Sequence, residues 1–173
     1  MRQNIVKTTR FLLATCVLAA TAVTPVFALE GEPATQFVLE GLDRVHVTVD
    51  PLSKVNLDAG AMQKDIEAQF EKGGMKIVDK KEFLNNTTID QFLVKVTPLK
   101  KNKRIFYAIN VGLTQMVYLE DKPDRKISVT AWQNQSLGIA EPGKEGEIKK
   151  EIMAKVDSFI DLWQRANGKE KAK

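Results

Sequence analysis

The chain has a single histidine, His46, and a single cysteine, Cys16, and these two residues limit the available chemistry. Transition-metal centres draw on several His or Cys ligands, so no metal site is expected. Calcium would need clustered carboxylates and carbonyls; Glu120, Asp121 and Asp124 lie close together but lack EF-hand spacing and read as a charged turn. A Ser–His pair would have to use His46, and nothing sets Ser53, Ser128, Ser136 or Ser158 beside it. No G-x-S-x-G elbow is present. Gly73-Gly74 follows a helical pattern instead of opening one, unlike a phosphate-binding loop. A carboxylate pair could assemble from Asp43, Asp50, Asp79 or Glu82, as in glycoside hydrolysis, but no spacing singles one out. No catalytic residue and no cofactor is expected. Hydrolysis of envelope polymers stays a remote alternative.

Binding chemistry has more to draw on. Lys100-Lys101-Asn102-Lys103-Arg104 is the densest basic run, followed by Phe106 and Tyr107. Such a run suits anionic headgroups or acidic glycans, or is simply a solvated hairpin tip whose charges discourage edge pairing. A second set comes from strand alternation, which places Leu93, Phe106, Met116, Tyr118 and Trp132 together on one sheet face beside Lys95, Thr114, Ser128 and Thr130. Left uncovered, that face would be an aromatic binding patch. The expected binding residues are therefore Trp132, Tyr118, Met116, Phe106, Lys101 and Lys103.

These residues depend on a small set of elements. Leu42 to Asp50 alternates, with Val45, Val47 and Val49 on one side and Arg44, His46, Thr48 and Asp50 on the other, as in a half-buried strand. His46 then falls on the polar side. Asp58 offers an N-cap, and Met62, Ile66 and Phe70 recur on one helical face up to Gly73-Gly74. Met75 to Val78 is a short second strand, so strand, helix and strand suggest a parallel crossover. A third strand carries Phe92, Val94 and Val96. A long fourth carries Ile105, Tyr107, Ile109, Val111, Leu113, Val117 and Leu119, interrupted by Gln115, with Gly112 marking a bulge or bend. A fifth carries Ile127, Val129 and Ala131.

Shared faces suggest registers of Leu119 with Ile127, Val117 with Val129 and Val96 with Tyr107. The turns then fall at Lys122-Pro123-Asp124 and Lys101-Asn102, and Asp121–Arg125 and Glu120–Lys126 become cross-strand pairs. Ile148, Ile152, Val156, Phe159, Ile160 and Trp163 form one stripe of a final helix that must lie on the sheet. The fold expected is α+β: a five-stranded mixed sheet, in β-α-β-β-β-β-α order, with two helices packed on one face. A ligand carrier would need a cavity between sheet and last helix, lined by Tyr107, Ile109, Ile152 and Phe159. Close packing is the competing expectation.

The N-terminus gives an address. Arg2, Lys7 and Arg10 precede the apolar run Phe11 to Val23, and Val26-Phe27-Ala28 fits a cleavage site, so residues 1–28 read as a Sec signal peptide. Leu13-Ala14-Thr15-Cys16 invites a lipoprotein reading. Few apolar residues precede Cys16 and the run continues beyond it, which favours a filler cysteine, with lipidation as the alternative. Cleavage after Ala28 would deliver a periplasmic or secreted protein that does not span the membrane. Those leader cations account for most of the net +4, so the remainder is near neutral and nucleic-acid binding is disfavoured. Residues 29–41 read as an extension or an edge strand at Gln36 to Glu40, 42–168 as one domain, and 169–173 as a charged tail.

The hairpin running into Thr130-Ala131-Trp132, the link Leu137-Gly138 and a final helix with Val156-Asp157-Ser158-Phe159-Ile160, Trp163 and Ala166-Asn167 resemble a loose group of small exported bacterial proteins without an assigned activity. The element order is also similar to that of the TolB N-terminal domain. The resemblance implies an envelope module and brings no catalytic residues. An exported, non-enzymatic module binding an envelope protein or glycan is the leading expectation.

Overall fold

The computed structural model describes residues 32–101, 104–141 and 143–169; the proposed leader and most of the charged tail lie outside them. Its centre is a five-stranded mixed sheet in the order β2-β1-β3-β4-β5. The strands are β1 (Arg44–Val49), β2 (Lys76–Ile77), β3 (Asp90–Lys101), β4 (Arg104–Leu119) and β5 (Lys122–Ala140). β1 runs parallel to β2 and β3, while β3, β4 and β5 form an antiparallel meander. The helices are α1 (Glu32–Leu39), α2 (Ala59–Gly73), α3 (Lys80–Asn85) and α4 (Gly146–Ala166).

α2 begins where the Asp58 carboxylate accepts the backbone N–H groups of Gly60 and Ala61, at 2.8 and 3.1 Å. It ends at Gly74, whose φ of 89° is left-handed. Met62, Ile66 and Phe70 are buried, as their spacing requires. The whole α4 stripe is buried too. These two helices cover one face of the sheet, where Phe70, Phe92 and Phe159 meet with ring centroids 4.8–5.7 Å apart.

The segment expected as an edge strand at Gln36 to Glu40 lies instead in α1 and the turn after it. The α4 C-terminus holds that turn. Asn167 Nδ2 donates to the Leu39 carbonyl at 2.8 Å, Asn167 Oδ1 accepts the Gly41 N–H at 2.9 Å, and Trp163 Nε1 donates to the Leu42 carbonyl at 2.6 Å. Gly41, at φ 76°, makes the sharp reversal between α1 and β1.

Strand faces follow the sequence up to the middle of β5, but the registers do not. Val96 faces Ile109, and Tyr107 faces Pro98. Val117 faces Ile127, and Val129 faces Gln115. A slide of two residues keeps every side chain on its own face, so alternation cannot distinguish these registers. The β4–β5 turn falls at Glu120-Asp121, with Leu119 opposite Lys122, so the proposed tip at Lys122-Pro123-Asp124 and both charge pairs are replaced. Lys126 lies opposite Tyr118, its Nζ 5.1 Å from the ring centroid.

β5 is much longer than its apolar pattern suggests. Near its middle the register shifts: Leu113 faces Trp132 and Thr114 faces Thr130, leaving Ala131 as an extra residue. Beyond this bulge the parity of β5 is inverted. Trp132, Asn134, Ser136, Gly138 and Ala140 turn to the helix-covered side, and Gln133, Gln135, Leu137 and Ile139 turn away from it.

Candidate functional site

On the helix side, the bulge brings a polar row from β5 under α4. Asn134 Oδ1 accepts from Lys155 Nζ at 2.8 Å. Glu151 accepts from the Tyr107 hydroxyl at 2.8 Å and the Ser136 hydroxyl at 2.5 Å. Burial first, then the Glu151 hydrogen bond and charge, pushes the Tyr107 phenol up to about 12. Tyr107 therefore stays a neutral donor, and this row fastens α4 to the sheet. Tyr107, Ile109, Ile152 and Phe159, the proposed carrier lining, are all buried in the core.

Trp132 belongs to this side as well. Its ring packs on Phe159 at 4.9 Å and it is only partly exposed, so it does not join the other aromatic residues on the opposite face. Its outer edge borders a groove of about 870 Å³ between β5 and α4, together with Gln36, Asn134, Asp157 and Ser158.

His46 is also placed differently from its sequence reading. It is buried, its Nδ1 lies 2.8 Å from the Val78 carbonyl oxygen, and its ring stacks on Phe83 of α3 at 4.5 Å. α3 begins where Asp79 accepts the Glu82 N–H, and Glu82 pairs with Arg44 at 3.3 Å. This short helix covers the second face of the sheet over β1. Among the described residues no group of three or more His, Cys, Asp and Glu side chains could hold a metal ion.

Over β3, β4 and β5 no helix among the described residues covers the second face, and this face forms the candidate site. Phe106, Met116, Tyr118 and Lys101 share it, as the alternation requires. Lys103 lies outside the described residues. The charged residues at outward positions in the paired ladders are Lys95, Lys101, Arg104 and Lys126, with no acidic residue among them. Lys126 is tethered to Thr87 Oγ1 at 2.9 Å. Lys100 turns to the helix side, where its charge contributes to keeping the Glu145 carboxyl low, behind that residue's hydrogen bonds with backbone and Asn56.

Large apolar groups accompany these cations. Leu99, Leu137 and Ile139 are 65, 86 and 54 % exposed. Sequence reasoning missed them as a group. Leu137 and Ile139 lie beyond the expected end of the fifth strand, and only the continued β5 puts them beside Phe106. Gly112 was the available signal for the bulge: a Cβ there would stand 3.2 Å from the Trp132 carbonyl oxygen, directly beside the register shift. Comparison with family models gives no match for this chain, and comparison with curated proteins gives none.

Proposed function

We propose that this is an exported, non-enzymatic module of the cell envelope that holds an anionic macromolecular surface against the open face of β3, β4 and β5. The observation that carries this reading is the charge segregation in the paired ladders of that face, where the outward charges Lys95, Lys101, Arg104 and Lys126 are all cations and exposed apolar side chains lie between them. The leader pattern at residues 1–28 supports export. Its binding residues are Lys101, Arg104, Phe106, Met116 and Tyr118, with Trp132 in a supporting role behind the sheet. Retention on a sulfated polysaccharide column tests it. Lys101→Glu with Arg104→Glu should move elution to much lower salt without changing the melting temperature. Unchanged retention would show that the face is not the binding surface.

A second reading, a carrier for a small amphipathic ligand, draws its support from the groove beside Trp132. Native mass spectrometry of the exported protein tests it. A co-purified small molecule supports it, and a bare monomer counts against it.

A further inference from the structure

We propose that the anionic surface is a lipid bilayer, and that Leu99, Leu137 and Ile139 enter its headgroup–acyl boundary while the neighbouring cations stay at the headgroups. This rests on the reading of the open face as the binding surface. The ladder gives the layout row by row. Leu99 faces Phe106, which faces Ile139; the next row is Thr97, Ala108 and Leu137. On one side of this apolar island Lys101 faces Arg104; on the other, Lys95 faces Asn110, which faces Gln135. The island is thus bordered by cations at both ends.

An interfacial surface needs apolar side chains that project and cations beside them whose longer stems reach the headgroup level. Leu137, at 86 % exposure, projects from the face at the edge of a depression that it helps to line. That depression, which Lys95, Thr97, Ala108 and Asn110 also line, is open to solvent and offers little enclosure for a partner's side chain. Protein partners concentrate their binding energy in enclosed, desolvated pockets. An anionic bilayer supplies negative charge and an apolar layer at successive depths, matching the cations and leucines without a shaped cavity.

Vesicle flotation tests this, using the full protein as it is exported and phosphatidylcholine vesicles with or without phosphatidylglycerol. The protein should float only with phosphatidylglycerol, and less so at high salt. Each of Leu99→Ser and Leu137→Ser should lower partitioning about tenfold. Each of Lys101→Gln and Arg104→Gln should lower it about fivefold and flatten the salt dependence. These positions are exposed, so circular dichroism melts should stay unchanged. Flotation with neutral vesicles, or flotation that survives both leucine changes, would overturn the insertion. Retention on the sulfated polysaccharide without flotation would overturn the lipid assignment and leave the anionic-surface reading intact. Failure of both assays would remove both.

Discussion

Gly138 lies directly across the β4–β5 ladder from Tyr107, and the phenol ring occupies the space a side chain at 138 would need: a Cβ there would stand 2.3 Å from Tyr107 Cζ and Oη. The ring can lie over β5 and reach Glu151 on α4 only because residue 138 has no side chain. Gly138→Ala should push the ring aside, break the hydroxyl–Glu151 bond and destabilise the fold by about 1–3 kcal/mol. Urea unfolding measures this. Combined with Tyr107→Ala, the second change should cost much less than it does alone, because the two residues share one contact. Additive losses would refute the coupling.

The same contact gives a pH dependence. The Tyr107 phenol is raised to about 12 in the fold against 10 in the open chain. A raised value means the folded state holds the proton more tightly. The stability it contributes is therefore complete below pH 10 and is lost as pH rises toward 12. In a Tyr118→Phe background, phenolate absorbance should report a Tyr107 midpoint near 12. A midpoint near 10 would mean that the ring is neither buried nor bonded to Glu151. The stability gap between this protein and its Tyr107→Phe variant should also narrow across that window.

Trp132 and Tyr118 should part company on mutation. Trp132 packs on Phe159 beneath α4, while Tyr118 is 56 % exposed on the open face. Trp132→Ala should cost about 2–3 kcal/mol, since it removes much of an aromatic contact at the core margin. Tyr118→Ala should cost about 0.5 kcal/mol or less, as a surface change. Thermal melts of the two variants decide this. Equal losses would contradict the inverted parity of β5.

Asp90 shifts in the same direction as Tyr107. Its carboxyl is raised by burial, with Asp43 adding to the rise and the Gln115 hydrogen bond opposing it. The ionised form is thus disfavoured in the fold, and the stability linked to its proton is lost as pH climbs through the raised value. Asp90→Asn retains an acceptor for Gln115, which donates to Asp90 at 2.8 Å, and removes the buried charge. At neutral pH it should leave stability unchanged or raise it by up to about 1 kcal/mol. A clear loss of stability in urea unfolding would mean that the charge itself holds the Gln115 contact.

Sequence by itself determined the elements whose faces repeat without interruption. The alternation of Val45 and Val47, the spacing of Met62, Ile66 and Phe70, the Asp58 cap and the α4 stripe each require only local geometry and one buried side. The five-stranded mixed sheet follows from their order. It also put Phe106, Met116 and Tyr118 on one face. Only the tertiary structure decided the registers, because sliding a strand by two residues preserves its pattern. It alone decided the side of Trp132, because the extra residue at Ala131 inverts parity and the apolar alternation carries no mark of it. His46 looked exposed because its strand reads as half-buried, and its cover, Phe83, comes from a helix too short to show a period. The apolar island of the open face exists only because β5 continues past the bulge, which brings Leu137 and Ile139, beyond the expected end of the fifth strand, beside Phe106 and Leu99.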